Sequence, residues 1–275
     1  FDEGFFPYIE NIVKPHAGDD RILLWDLCNE PFNSARSDET MKTILVWLQR
    51  VHRKCKDCGA RSPLAVTCDV LDRPSIEHAT QATLAKFKTV DILINGAGGS
   101  RREATTAPEL SFFNIAHESL MKTVTLNYSS AVLPSQVIGR LFAKQKHGVI
   151  LNIASIAGIR PLTRAIGYSN GKAALINFTQ WLAVHMAQEY SPHIRVNALA
   201  PGFVLTEQNR FMLTDEKTGQ LTERGRQIIS QVPMGRLAKP GEMAGAALWL
   251  VSDSASFVTG AVIPVDGGFT AISGV

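Results

Sequence analysis

The chain has 275 residues, of which 45% are hydrophobic and 19% charged, a composition typical of soluble globular proteins that bury a substantial core. Its net charge of +3 includes no dense run of lysine or arginine, which disfavours nucleic acid and membrane surfaces as partners. No apolar run approaches the roughly 20 residues of a membrane helix, and no signal peptide precedes the first predicted element, so we expect a cytoplasmic protein.

Residues 1–62 carry a pattern of their own. Residues 21–28 form a strand-like run that leads into Asn29-Glu30-Pro31, and a helix is expected over residues 38–56. The segment resembles a fragment of the TIM-barrel glycoside hydrolases, which implies an acid/base role for Glu30. A barrel needs about 250 residues, and glycoside hydrolysis needs a second carboxylate that no later residue supplies, so we predict that Glu30 is not catalytic. Because the chain also starts at Phe1, we expect a fused or fragmentary reading frame.

All four cysteines lie in the first quarter of the chain, away from the motifs described below. Cys55 and Cys58 form a Cys-x-x-Cys pair, but no second ligand pair accompanies it and it closes a Lys-rich helix rather than opening one. We therefore predict reduced cysteines without a redox role, and no metal site. They are Cys28, Cys55, Cys58 and Cys68.

From residue 63 to residue 275, strand-like and helix-like segments alternate. The strand-like runs are almost continuously apolar, as in a parallel sheet that is covered on both faces. The expected strands are 64–68, 91–95, 148–154, 194–199 and 261–268, and the expected helices are 74–87, 111–145 (interrupted near Asn127 and Pro134) and one that carries Tyr168. The alternation predicts an α/β fold with a Rossmann-like, doubly wound parallel sheet, whose first βαβ unit is replaced by residues 21–68.

Three side chains near the end of the 148–154 strand predict a catalytic centre. Ser155 lies at the carboxyl end of that strand, where ligands of open α/β sheets bind. Tyr168 and Lys172 are four positions apart in a helical segment and therefore share one helix face. A phenol with an ordinary pKa of about 10 is a poor proton shuttle at neutral pH, and an ammonium one turn away should lower that pKa. Such a pair also occurs by chance on surface helices, so the prediction depends on the surrounding motifs.

The surrounding motifs are Asp69-Val70, the turn Asn95-Gly96-Ala97-Gly98, the helical Asn127, and Pro201-Gly202 after a later strand. With Ser155, Tyr168 and Lys172 they resemble the short-chain dehydrogenase/reductase family. The usual turn of that family has two asparagines, and here Gly96 replaces the second.

The resemblance implies roles for individual residues. Ser155, Tyr168, Lys172 and Asn127 would be catalytic, with Asn127 kinking its helix and holding a water that relays protons to the lysine. A nicotinamide dinucleotide would be the cofactor. Its implied contacts are Asp69 and Val70 at the adenine, Asn95, Ala97 and Gly98 beside the adenosine ribose, and Tyr168, Lys172, Pro201, Gly202 and Thr206 on the nicotinamide side.

The glycine-rich turn that normally opens this fold is absent from the sequence. In the family, that turn places backbone amides against the cofactor pyrophosphate at a helix N-terminus. Neither Gly-x-x-x-Gly-x-Gly nor Gly-x-Gly-x-x-Gly occurs before residue 95. The choice between NAD and NADP therefore stays open, with a slight preference for NAD.

Three stretches, residues 177–186, 201–210 and 257–275, resemble D-mannonate oxidoreductase-like members of the family. The resemblance implies reversible reduction of D-fructuronate to D-mannonate by a homotetramer or homodimer. Arginines that could hold a sugar-acid carboxylate through two parallel hydrogen bonds are Arg160, Arg164 and, in a long loop expected over 203–233, Arg210. Each could equally be a surface or subunit contact.

Two other classes of function stay open. A non-catalytic α/β module would keep the centre but bind no dinucleotide, which a titration with NADH would reveal. Carbohydrate processing by the leading segment would require release of sugar from a glycoside, with loss of that activity in Glu30→Gln.

Overall fold

The computed structural model describes residues 64–206, 213–215 and 218–273. The strand expected at 21–28, the helix expected at 38–56, Glu30 and Arg210 lie outside the described residues.

A four-stranded parallel sheet forms the centre of the described fold. Its strands are β1 (Ile92–Asn95), β2 (Gly148–Ile153), β3 (Ile194–Pro201) and β4 (Val262–Val265), and they lie side by side in the order β1-β2-β3-β4. All four strands were predicted from their apolar runs. The α/β fold with a parallel sheet is therefore confirmed, and β2 and β3 form its interior.

The helices are α1 (Arg73–Phe87), α2 (His117–Gln145), α3 (Ile166–Glu189), α4 (Glu223–Ile229) and α5 (Ala244–Val251). They cover both faces of the sheet. Ile150 of β2 packs in one cluster with Phe142 of α2 and Met186 of α3, whereas its neighbour Leu151 packs against Leu250 of α5. Because successive strand residues point to opposite faces, an interior strand must be apolar throughout, which explains the unbroken hydrophobic runs.

Helix α1 is close to the prediction. It begins at Arg73, one residue before the expected Pro74, because the Asp72 carboxylate accepts a hydrogen bond from the Ser75 amide at 3.0 Å. It ends at Phe87, where Lys88 takes a left-handed conformation with φ of 73°.

Three predicted elements differ from the structure. Residues 64–68 do not form a strand, because no strand of the described residues lies beside them to complete a hydrogen-bonded ladder. Helix α2 runs without interruption through Pro134, since packing against α3 and the sheet outweighs the lost backbone bond. The expected loop over 203–233 contains α4, whose first turn is capped by Thr222.

Among the described residues, no helix is both long and apolar enough to cross a membrane. The same part of the chain contains no group of three histidine, cysteine, aspartate or glutamate side chains that could hold a metal ion. Cys68 is partly buried and forms no disulfide.

Candidate active site

Ser155 follows β2 at the carboxyl edge of the sheet. The chain turns there into a short 3-10 helix, Ile156–Gly158, and the Ser155 hydroxyl oxygen accepts a hydrogen bond from the Ala157 amide at 3.1 Å. The side chain is only 7% exposed. The hydrogen bond and the burial therefore hold the hydroxyl at the carboxyl edge of the sheet, where ligands of open α/β sheets bind.

Tyr168 lies in the first turn of α3, and its hydroxyl interacts with the hydroxyl of Ser155. Burial raises the pKa of the Tyr168 phenol above its ordinary value, and the hydrogen bond with Ser155 opposes this shift without reversing it. The sequence predicted that Lys172 lowers the pKa of Tyr168 below its ordinary value. For the protein without a bound cofactor that prediction is wrong, because the net shift is upward. At neutral pH the phenol keeps its proton, which is the form that can donate it.

Lys172 lies one turn further along α3 and is 4% exposed. Its ammonium donates a hydrogen bond to the carbonyl oxygen of Ile153, the last residue of β2, at 2.8 Å. The nitrogen is also 5.7 Å from the centroid of the Tyr168 ring, within range of a cation–π interaction. The predicted common face of Tyr168 and Lys172 is thus seen in the structure, and it is directed at the end of β2.

Asn127 is fully buried in α2 and connects that helix to the turn after β1. Its amide nitrogen donates to the Gly99 carbonyl at 2.7 Å and to the Thr123 carbonyl at 2.9 Å, while its oxygen accepts from the Gly99 amide at 3.0 Å. The helix is continuous at this point, so the predicted interruption at Asn127 is wrong. The side chain holds a backbone turn in place, and its role in a proton relay stays a prediction.

Two glycines let these parts approach one another. A Cβ on Gly98 would lie 2.7 Å from the Asn127 side-chain oxygen and 3.2 Å from the Lys172 nitrogen, and a Cβ on Gly171 would lie 2.7 Å from the Cβ of Asn127. Real Cβ atoms essentially never come within 3.0 Å of another atom. Gly98 therefore brings the turn after β1 against Asn127 and Lys172, and Gly171 brings α3 against α2.

The side chain of Asn95, a predicted cofactor contact, points into the protein. Its amide nitrogen donates to the Asn152 side-chain oxygen at 2.8 Å and to the Ser135 hydroxyl at 3.2 Å. The Asn152 amide in turn donates to the Thr179 hydroxyl at 2.9 Å. These buried amides link β1 and β2 to α2 and α3, so the Asn95 side chain steadies the sheet. Its cofactor contact stays a prediction.

The other predicted cofactor residues occupy three regions: the turn before α1, the turn after β1 and the end of β3. Asp69 and Val70 lie in the turn before α1, where the exposed Asp69 carboxylate accepts a hydrogen bond from the Leu71 amide at 2.8 Å. Ala97 accepts a hydrogen bond from the Ser130 hydroxyl at 3.0 Å, which fixes the turn after β1.

Pro201 ends β3, and the Gly202 amide donates to the Val265 carbonyl at 3.0 Å. A Cβ on Gly202 would lie 2.6 Å from the Cα of Asp266, so the turn is packed tightly against the end of β4. Thr206 is partly buried a few residues further on. All three residues lie at or just after the carboxyl end of β3, on the edge of the sheet where Ser155 also lies.

The predicted substrate arginines differ in their surroundings. Arg160 is exposed and donates to the carbonyl of Ile272 at 2.9 Å, so it holds the C-terminal segment. Arg164 is exposed just before α3 and has a left-handed backbone with φ of 75°. Its neighbour Thr163 accepts a hydrogen bond at 3.2 Å from Arg224 of α4, a residue that the sequence analysis missed.

The missed residues left weak signals. Asn152 and Thr179 are polar positions within apolar segments, which indicates a buried hydrogen-bonded pair. Arg224 follows Thr222-Glu223, a pattern typical of a helix start that could have revealed α4.

The donor set at the sheet edge fits the nicotinamide–ribose half of a dinucleotide. The Tyr168 hydroxyl and the Lys172 ammonium can bond a ribose diol, and the Ser155 hydroxyl lies beside the phenol to meet a reacting oxygen. The sequence before residue 95 has no glycine-rich turn of the kind that meets the pyrophosphate half.

Comparisons with known proteins agree with this chemistry. The family model described as "Enoyl-(Acyl carrier protein) reductase" matches residues 44–270, so the match begins inside the segment expected to resemble a glycoside hydrolase. "Uncharacterized oxidoreductase UxuB" of Bacillus subtilis is 43% identical over 220 residues, which cover 77% of this chain and 78% of that protein.

Two solved structures are also similar. The "putative D-Mannonate oxidoreductase" from Haemophilus influenza with bound NAD has a TM-score of 0.76 and 38% identity, and the match covers 82% of this chain and 83% of that one. The "putative NAD(P) dependent gluconate 5-dehydrogenase" from Beutenbergia cavernae with bound NADP at low occupancy has a TM-score of 0.69 and 30% identity, covering 86% and 85%.

Proposed function

The chain belongs to the short-chain dehydrogenase/reductase family, and we propose that it interconverts a ketone and a secondary alcohol on a sugar acid with NAD or NADP. The observation that carries this proposal is the position of the Tyr168 phenol, which is paired with the Ser155 hydroxyl and lies beside the Lys172 ammonium. A neutral acid that touches a second hydroxyl donor is suited to protonate a carbonyl oxygen as it gains negative charge.

Each residue has a separate task in the proposed reduction. The nicotinamide supplies the hydride when bound. Tyr168 donates its proton to the carbonyl oxygen, and Ser155 donates a hydrogen bond to the same oxygen as its negative charge develops. Lys172 stabilises the resulting phenolate by its positive charge and orients the nicotinamide ribose.

Asn127 completes the arrangement by fixing the turn after β1 through two hydrogen bonds with the backbone of Gly99. The return of a proton to Tyr168 through Lys172 and a water near Asn127 is part of the proposal.

A sugar acid is the substrate that the comparisons favour. Two of the similar structures are described by sugar-acid activities, those of D-mannonate and gluconate. We propose D-fructuronate and D-mannonate as the substrate pair, with NAD used slightly more readily than NADP. We also propose a dimer or tetramer, because α3 leaves the large side chains of Trp181 and Val184 58% and 57% exposed.

The test compares Tyr168→Phe with Tyr190→Phe, which removes the same atom from a tyrosine just beyond the end of α3. Reduction of D-fructuronate with NADH and with NADPH should fall by a factor of about 10²–10⁴ in kcat/KM for Tyr168→Phe, because proton transfer is lost. The Tyr190 variant should match the wild type, and both variants should keep its unfolding midpoint. Undiminished turnover by Tyr168→Phe would refute the mechanism, and a wild type inert toward D-fructuronate would refute the substrate.

A further inference from the structure

Arg224 approaches the segment between Ser155 and Tyr168 from a different part of the chain. It lies in the first turn of α4, and its guanidinium reaches the Thr163 hydroxyl at 3.2 Å, five residues before Tyr168. The Thr222 cap holds this end of α4 through a 3.0 Å hydrogen bond from the Gly225 amide. The position of Arg224 is therefore set by a capped helix.

The backbone of Arg164 is also held in place, but in a strained conformation. Its φ of 75° is in the left-handed region, which is strained for a residue with a Cβ. The carbonyl of Arg164 accepts a hydrogen bond from the Thr106 amide at 3.0 Å, which fixes the strained residue. Its side chain borders an open cleft of about 170 Å³ at the first turn of α3, which carries Tyr168. Backbone strain of this kind clusters at functional sites.

The two guanidinium groups repel each other. Burial and, to a smaller extent, the positive charge of Arg164 lower the pKa of Arg224 below its ordinary value. Within the described ranges, neither group forms an ion pair with a carboxylate. Two like charges close to each other destabilise the protein alone, and an anion placed between them would remove that cost.

We propose that Arg164 and Arg224 together bind the carboxylate of the substrate. This inference rests on the proposed function. It keeps Arg164 from the arginines predicted from the sequence, and it adds Arg224. Arg160 is engaged with the C-terminal segment, whereas α4 supplies a partner for Arg164. Each planar guanidinium can give two parallel hydrogen bonds to a carboxylate. Because a hexuronate carries its carboxylate and its ketone at opposite ends of a short chain, binding one end at the rim would direct the other toward Tyr168.

The test measures binding without turnover. Calorimetry would titrate D-mannonate, and its neutral counterpart D-mannitol, into the full chain with NADH present, so that neither alcohol can be oxidised. The variants are Arg224→Met and Arg164→Met, with Arg224→Gln as a replacement if the methionine variant does not fold. The control is Arg140→Met, which removes an exposed guanidinium from the far end of α2.

The wild type should bind D-mannonate more tightly than D-mannitol. Each site variant should weaken D-mannonate binding by about tenfold to a hundredfold, as expected for the loss of hydrogen bonds to a charged group, and should leave D-mannitol binding unchanged. The KM for D-fructuronate should rise in parallel, with little change in kcat, because the carboxylate does not take part in the chemistry.

Two results would overturn the arginine pair: a wild type that does not prefer D-mannonate to D-mannitol, or variants that bind D-mannonate as the wild type does. If D-mannonate binds in an arginine-dependent way but D-fructuronate is not reduced, the arginine pair stands and the proposed reaction fails. The two proposals can therefore fail separately.

Discussion

Gly98→Ala should inactivate the enzyme through a single added methyl group. The new Cβ would lie 2.7 Å from the Asn127 side-chain oxygen, about 0.7 Å short of an ordinary contact, and 3.2 Å from the Lys172 nitrogen. Neither neighbour can move without loss, because the Asn127 oxygen accepts from the Gly99 amide and the Lys172 nitrogen donates to the Ile153 carbonyl. The backbone at Gly98 also has φ of +151°, which alanine rarely adopts.

The magnitude follows from these two effects. An alanine held in a sparsely populated backbone region costs roughly 1–3 kcal/mol. Moving the Asn127 oxygen far enough to break its hydrogen bond leaves a buried polar group unsatisfied, which costs about 1–3 kcal/mol more. The free energy of unfolding should therefore fall by roughly 2–6 kcal/mol. Misplacement of catalytic groups by about 1 Å costs on the order of 10²-fold in rate, so kcat/KM should fall at least that much.

Gly235→Ala is the matched control, because it separates backbone strain from the contact. Gly235 also has a positive φ, of 67°, but a Cβ there meets no atom within 4 Å. Urea denaturation and steady-state reduction of D-fructuronate would be measured for both variants. Both should lose stability, and only Gly98→Ala should lose activity. A Gly98→Ala enzyme that is as active as Gly235→Ala would show that the close approach of Gly98, Asn127 and Lys172 is not needed for catalysis.

Two predictions concern the supports of the fold. Arg195→Met should lower the free energy of unfolding, measured by urea denaturation, by about 2–5 kcal/mol. The reason is that the buried guanidinium of Arg195 donates to the Leu250 and Ser252 carbonyls at the end of α5. A loss no larger than that of Arg140→Met would contradict this prediction. Glu242, whose pKa is lowered to about 2 chiefly by its hydrogen bond with Arg236, should stabilise the protein above its unfolded-state pKa and lose that effect as the pH falls through about 2. The difference in unfolding midpoint between wild type and Glu242→Gln should thus be constant from pH 7 to pH 5 and shrink below it; a difference already lost at pH 5 would contradict the assignment.

The sequence predicted the parallel sheet because each strand is covered on both faces, so its hydrophobic run is unbroken. In Gly148–Ile153, Ile150 faces α2 and α3 while Leu151 faces α5. The sequence also predicted that Ser155 lies near Tyr168 and Lys172. The end of a strand places Ser155 at the edge of the sheet, and the i,i+4 spacing places Tyr168 and Lys172 on one helix face.

Other features depend on contacts that local patterns do not contain. Asn127 and Pro134 are both unfavourable within helices, yet α2 continues through them because α3 and the sheet pack along its length. Residues 64–68 have the composition of a strand, but a strand needs a neighbour, and the described residues provide none. The hydrogen bond from Arg224 to Thr163 joins positions 61 residues apart, which one sequence cannot reveal.

The pKa of Tyr168 shows how a correct geometry can still give the wrong sign. The spacing placed an ammonium one turn from the phenol, and the structure has it 5.7 Å from the ring centroid. However, the ammonium donates to the Ile153 carbonyl, and burial of the phenol disfavours its charged form more strongly than the Ser155 hydrogen bond favours it. A phenol that holds its proton is ready for ketone reduction, whereas oxidation of the alcohol requires the phenolate. Positive charge that arrives beside the phenol would favour the phenolate, so an oxidised nicotinamide, which carries that charge, would prepare the same residue for the reverse direction.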